Sequence, residues 1–235
     1  MVQRRAEELV AERKTLESVI YDELHKRVVT LEYLPGRMIF ENEIAAEFDV
    51  SRTPVRQAFF RLAMDDLLQV LPQRGARVSF ISRDKVRESQ AVRESLEATA
   101  FAVAARKWDE TDPVCRTTRA EIDGIIADQV KAVEAQDYVA FTRLDEAYHG
   151  GIMRFAGNRT LYTIVCEIRA HLNRVRFVEL QEAHHDAAAI VFHREIFEAI
   201  RANDVARTTE RLLAHLKVLE EFREEIFANR RDMFT

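Results

Sequence analysis

The chain has 235 residues, 47% of them hydrophobic and 32% charged, with a formal net charge of −5. That length suits one large or two modest domains with a real core, and 6 Gly with 4 Pro leave little room for a loop-rich all-β fold. Net acidity argues against a general nucleic-acid-coating protein; two cysteines, Cys115 and Cys166, make no disulfide framework; and no apolar run reaches the length of a membrane span.

The N-terminus (Gln3-Arg4-Arg5-Ala6-Glu7-Glu8) carries no apolar signal segment, so a reducing cytoplasm and no membrane are expected. Residues 1–14 are polar and expected to be partly disordered. Leu16, Val19, Ile20, Leu24, Val28 and Leu31 repeat at helical spacing and predict a first amphipathic helix. Tyr33-Leu34-Pro35-Gly36-Arg37 breaks it. A short second helix follows over 41–48, with Ile44, Ala45 and Phe48 inward.

Ser51 is a good N-cap, and Pro54 fits the first turn of the helix behind it. Val55, Phe59 and Leu62 give that helix a core stripe, while Arg52, Thr53, Arg56 and Gln57 gather at its front. A helix with a basic front and an apolar back suits a DNA major groove. Leu67–Leu71, the Pro72-Gln73-Arg74-Gly75 turn and Arg77-Val78-Ser79-Phe80 then predict a two-stranded hairpin with a basic glycine tip. Together these make a winged helix-turn-helix. Residues 51–80 carry five Arg against Asp65 and Asp66, whereas residues 81–235 carry 23 basic and 27 acidic side chains. A small basic patch on an acidic body suits a sequence-specific binder of double-stranded DNA with a separate regulatory domain.

Ser82-Arg83-Asp84 is a linker and N-cap signal. Beyond it the pattern predicts six helices, at 84–108, 112–135, 137–155, 158–180, 186–202 and 204–229, with no strand signal. The expected fold class is therefore mainly α. A DNA-binding domain occupies residues 1–81, and an all-α six-helix bundle with room for a ligand occupies residues 82–235.

Asp145 and His149 stand at i, i+4 on one face of a predicted helix. His193 and His215 lie in apolar settings on two later helices. Three imidazoles and a carboxylate suit Zn²⁺, Ni²⁺ or another first-row divalent ion. An Asp/His salt bridge and two packed core histidines fit the same residues. Glu146 points about 100° away from Asp145 on a helix, a poor position for a hydrolytic base. His25, His171 and the His184-His185 pair receive no role.

The first domain resembles the winged helix-turn-helix of the GntR regulators. The carriers are Pro35-Gly36, the run Val50-Ser51-Arg52-Thr53-Pro54-Val55-Arg56-Gln57-Ala58, Arg61-Leu62 and Pro72-Gln73-Arg74-Gly75. The second resembles the FCD ligand domain of the FadR subfamily through Arg93-Glu94-Ser95-Leu96-Glu97, Asp145-Glu146-Ala147-Tyr148-His149, Gly157-Asn158, His193-Arg194-Glu195-Ile196 and His215-Leu216. Six helices rather than seven point to the VanR-like branch. The resemblance implies a homodimeric regulator, a repressor rather than an activator, on a palindromic operator. It implies DNA contacts from Arg52, Thr53, Arg56, Arg74 and Gly75, and a metal held by Asp145, His149, His193 and His215. It further implies a small carboxylate-type effector on the metal and on Arg93, which also suits an i, i+4 pair with Glu97. Asn173, Arg174 and Arg176, on another helix, are weaker effector candidates, and a solvated basic face is the plainer reading of the two arginines. Two departures stand out. Asn42 occupies a position that is basic in several relatives, and Asp65-Asp66-Leu67 replaces the usual Glu-Gly-Leu, which is expected to change the turn and set acid near phosphates. Two rivals remain: a metal-dependent hydrolase of small esters or amides, and a regulator whose metal is purely structural.

Overall fold

The computed structural model describes residues 15–72, 74–183 and 186–235. Residues 1–14, Gln73 and the His184-His185 pair lie outside the described residues. The chain divides into two compact units, one ending at Phe80 and the other beginning at Ile81.

In the first unit α1 (Leu16–Val29) starts at Thr15, whose side chain accepts from the Ser18 amide at 3.1 Å. Its buried stripe is Ile20, Leu24 and Val28, which packs against α3 (Arg52–Met64). Strand β1 (Met38–Ile39) follows, then α2 (Glu41–Glu47), α3 and the hairpin β2 (Leu68–Leu71) and β3 (Gly75–Val78). The sheet order is β1-β3-β2, all antiparallel, with Ile39 opposite Ala76 and Val70 opposite Ala76 on its other side. Strand β1 carries too few residues to show an alternation, so the sequence pattern did not reveal it. Ser51 occupies the N-cap of α3 as expected, but its side chain makes no capping hydrogen bond. Val55, Phe59 and Leu62 are buried as predicted.

The turn before the wing differs from its expectation. Asp66 adopts φ 57°, the left-handed conformation that glycine usually supplies. The Leu67 amide still reaches the Leu62 carbonyl at 2.9 Å, so the turn keeps its course. Asp65 accepts the Tyr21 hydroxyl at 2.6 Å and faces α1.

The second unit holds α4 (Arg83–Lys107), α5 (Pro113–Glu134), α6 (Tyr138–Ala156), α7 (Arg159–Ala183), α8 (Asp186–Arg201) and α9 (Val205–Asn229). These are the six predicted helices. Ser82, Asp112, Asp137 and Asp204 cap four of them through their side chains. Gly157, at φ 92°, ends α6 in the left-handed cap that favours glycine. Helix α4 packs against α6, α7, α8 and α9. Phe101, Ile122, Phe141, Tyr148, Ile152, Ile196 and Leu212 build the core. Trp108 closes one part of it, edge-on to Phe155 and Phe197.

A contact that periodicity did not predict joins the ends of this unit. A short 3₁₀ turn (Arg231–Met233) leads to a single parallel bridge between Ile81 and Phe234. The Ile81 amide donates to the Met233 carbonyl at 2.9 Å, and the Thr235 amide to the Ile81 carbonyl at 3.0 Å. Phe234 is buried edge-on to Phe227, with ring centroids 4.7 Å apart. Phe234→Ala should therefore destabilise this unit by about 3 kcal/mol, the usual scale for emptying a buried aromatic site. Chemical denaturation read by far-ultraviolet circular dichroism checks it.

Candidate functional site

Two regions gather the predicted site residues. In the first unit one groove is lined by Phe40, Glu41, Asn42, Arg52, Arg56, Phe60, Val70, Leu71, Pro72, Arg74 and Gly75. Arg52 and Arg56 come from successive turns of α3, and Arg74-Gly75 from the hairpin tip, so helix and hairpin share one concave surface. Thr53 is exposed near the start of α3, beside that lining. The side chains of Arg52 and Arg56 are 62% and 53% exposed. Both are held on one carboxylate, Glu41, a partner that sequence spacing did not suggest. Cationic groups along such a groove meet the phosphates of a duplex, and exposed guanidinium donors meet guanine edges.

In the second unit Asp145, His149, His193 and His215 converge, with one ligand atom from each lying within 4.8 Å of every other. All four are buried. His149 Nε2 and His193 Nε2 each stand 3.2 Å from His215 Nε2. The outer ring nitrogens are already committed. His149 Nδ1 donates to Glu97 Oε2 at 2.6 Å, and His193 Nδ1 donates to Gln129 Oε1 at 2.9 Å. With the proton on Nδ1, each Nε2 offers a lone pair to the same point. Asp145 Oδ1 faces that point 3.3 Å from His193 Nε2 and has no hydrogen-bond donor of its own among the described residues. Its other oxygen, Oδ2, accepts from Arg176 at 2.7 Å.

The charge states suit a cation. Burial lowers the pKa of His193, takes that of His149 down to about 4, and puts His215 well below the ordinary imidazole value. All three rings are therefore neutral at pH 7. Burial alone would raise the Asp145 carboxyl, but Arg176 and the facing imidazoles outweigh it and hold it well below the usual range. Glu97 behaves the same way: Arg93, His149 and Arg169 overcome its burial. The Nε2 lone pairs of His149 and His193 and the Asp145 carboxylate oxygen face one buried point that His215 Nε2 also borders, a donor set that a cation satisfies. Imidazole nitrogens bound about 2.1 Å from a common ion lie about 3.0–3.4 Å apart, which matches the spacing here. The residues therefore fit a divalent metal.

Every helix of the bundle serves this centre. Helix α4 gives Glu97, α5 Gln129, α6 Asp145 and His149, α7 Arg176, α8 His193 and α9 His215. Tyr148 stacks on the His193 ring at 4.0 Å, and its hydroxyl donates to the His193 carbonyl. Sequence reading missed Glu97, Gln129 and Tyr148 as supports. Gln129 did leave a signal, since it interrupts the buried stripe Ile122, Ile126, Gln129, Ala132 at a core position.

Arg93, Arg176 and His215 line a small cavity of about 30 Å³, with Glu179, Leu180, Ala189, Phe192 and Leu216 among its other walls. Arg93 Nε donates to Glu97 Oε1 at 2.8 Å, while its Nη2 is a buried donor with no partner among the described residues. The intrahelical pair thus forms and still leaves one donor. Asn173 and Arg174 do not line this pocket. Asn173 donates to Glu146 of α6, and Arg174 is fully buried. The solvated basic face expected for Arg174 and Arg176 is absent: both point into the bundle, because α7 packs against α4, α6 and α9 and has little face left for water.

Comparison with known proteins identifies the family of both units. The family described as bacterial regulatory proteins, gntR family, matches residues 16–78, and the FCD domain matches residues 88–218. An uncharacterised HTH-type transcriptional regulator in an unstable DNA locus of Streptomyces ambofaciens is 34% identical over 215 residues, covering 92% of this chain and 88% of that protein. The HTH-type transcriptional repressor RspR of Escherichia coli K12 is 27% identical over 216 residues, 92% of each. Among solved structures, E. coli McbR/YncC superposes with a TM-score of 0.80 at 17% identity, covering 92% of this chain and all of that one. A transcriptional regulator from Rhodococcus sp. RHA1 gives a TM-score of 0.72 at 18% identity, over 91% of this chain and 98% of that one. The structural likenesses speak for the fold alone. The relatives and both families are transcriptional regulators rather than enzymes, which removes the hydrolase reading. No helix among the described residues is long and apolar enough to cross a membrane. The chain belongs to the GntR family, a transcriptional regulator that joins a winged helix-turn-helix for operator DNA to an FCD domain for a small-molecule effector.

Proposed function

We propose that this regulator is a cytoplasmic, homodimeric repressor of a palindromic operator, and that a small carboxylate joining a divalent ion in the FCD domain releases it. Residues 1–81 bind DNA through Arg52, Thr53, Arg56, Arg74 and Gly75. Residues 82–235 hold the ion, the effector and the dimer contact. The observation that carries the reading is the convergence of Asp145, His149, His193 and His215 beside a pocket with a spare guanidinium donor. Zn²⁺, Ni²⁺ or a similar first-row ion suits that donor set, and a bound ion supplies Lewis-acidic positions for an effector oxygen. Arg93 offers its free donor to the effector's acid group. Arg176 anchors Asp145 in the same wall, so it ties effector position to ligand position.

Glu97 orients His149 as the carboxylate of a carboxylate–histidine–metal triad does. Glu97→Gln should lower metal affinity by about 10–100-fold, the usual effect of losing such a support. Competition against a chromogenic chelator measures it.

Effector binding and operator binding are linked reciprocally. With metal-loaded protein and operator duplex, a panel of small mono- and dicarboxylates should include one that weakens DNA binding by about 5–150-fold, the ordinary span of such coupling. Arg93→Ala should abolish that response with metal content unchanged. A response that survives in Arg93→Ala removes Arg93 from the effector site. A full panel with no response, metal being bound, favours the purely structural metal.

A further inference from the structure

The geometry points to Glu41 as the positioning residue that sets both recognition arginines for base reading and lowers their pull on phosphate. The inference rests on the proposal that Arg52 and Arg56 contact the operator. Glu41 is the first residue of α2, where the helix dipole favours a carboxylate. Its Oε2 accepts from Arg52 Nε at 3.2 Å and Arg52 Nη2 at 2.7 Å. Its Oε1 accepts from Arg56 Nε at 3.0 Å, and its Oε2 also accepts from Arg56 Nη2 at 3.0 Å. The Glu41 side chain is only 18% exposed, against 62% and 53% for the two arginine side chains. The anchor is thus held at the groove wall while its partners reach outward.

Both guanidinium groups use the same edge, Nε with Nη2, on Glu41. A guanidinium has five N–H donors in a planar fork. The opposite edge, Nη1 with the second Nη2 hydrogen, remains for a ligand, and Nη1 of neither arginine has a partner among the described residues. Guanine is read by two parallel N–H donors on O6 and N7. Glu41 and a guanine can therefore occupy opposite edges of one arginine at once. Fixing the fork beforehand removes side-chain freedom that would otherwise be lost on binding. The same carboxylate cancels one of the two positive charges, so attraction to any phosphate backbone falls. Both effects raise the ratio of operator to random binding.

The test uses the full chain, a duplex enriched by the wild type from a randomised pool, and a random duplex of equal length. Glu41→Gln keeps size but offers only one accepting oxygen. Random-duplex affinity should rise, and the salt slope should steepen by about 1, the change expected for one more phosphate contact. The ratio of operator to random affinity should fall about tenfold, within the usual discrimination of a two-donor base contact. Arg56→Ala serves as the control. If Arg56→Ala weakens operator binding while Glu41→Gln keeps the ratio and the slope, Glu41 has no positioning role. If Arg52→Ala and Arg56→Ala both keep full operator affinity, the recognition-helix reading fails and this inference with it. A melting profile of Glu41→Gln that matches the wild type assigns the change to the groove, and a coincident loss of folding that Glu41→Asp also shows overturns the proposal.

Discussion

His193→Ala will strip the FCD domain of its metal and lower its melting temperature. The ring is fully buried, stacked on Tyr148, and aims Nε2 at the same point as His149, His215 and Asp145. Its removal leaves two imidazoles and one carboxylate, one donor fewer than the four that converge here. The loss exceeds that expected for a support such as Glu97, so metal affinity should fall by about 100-fold or more. Metal standing at 100 times its dissociation constant stabilises the folded state by about 2.7 kcal/mol. In a unit of this size that corresponds to roughly 5–10 °C. Wild-type protein should show the gap between metal-loaded and chelated samples, and in His193→Ala it should shrink to about 0.4 kcal/mol or less. Differential scanning calorimetry with elemental analysis reads both. Full occupancy in the variant would take His193 out of the centre.

Gly75→Val will disable DNA binding and leave the metal centre intact. Gly75 has φ 85°, a conformation that side-chain-bearing residues rarely adopt. A Cβ built there lies 2.5 Å from the Ile39 carbonyl oxygen and 2.9 Å from the Phe40 ring. The carbonyl belongs to β1, which pairs with β3 through Ile39 and Ala76. It cannot yield without opening that pairing, and a β-branched residue adds backbone strain of about 1–3 kcal/mol. The hairpin tip and Arg74 would leave the groove they share with Arg52 and Arg56. Operator affinity should fall tenfold or more, about 1.4 kcal/mol, by fluorescence anisotropy. Metal content should stay at the wild-type value. An unchanged operator affinity would remove the wing from the interface.

Periodicity carried most of the fold because the helices are long and amphipathic. The six helices of the second unit lie within three residues of the predicted ends. The pieces that escaped are those with no period: the two-residue β1, and the Ile81–Phe234 bridge, which depends on chain ends meeting. At Asp65-Asp66 the residue types predict an altered turn, whereas Asp66 holds the left-handed conformation that glycine usually supplies. At the centre, the four donor residues were legible as residue types at helical positions. Their supports were not, since Glu97 looks like one half of an i, i+4 pair with Arg93 and Arg176 looks like surface charge. Burial of so many charges is only affordable in a closed network, and closure is a property of three dimensions. Glu41 was hidden for the same reason: eleven and fifteen residues separate it from the arginines it holds.

Metal analysis of the purified protein, paired with operator binding before and after chelation, tests the central claim most directly. One divalent ion per chain is expected, with a DNA affinity that responds to small carboxylates only while the ion is bound. Protein that holds no ion after reconstitution with Zn²⁺ or Ni²⁺, yet still answers to carboxylates, would contradict a metal-anchored sensor and leave Asp145, His149, His193 and His215 as a buried polar cluster.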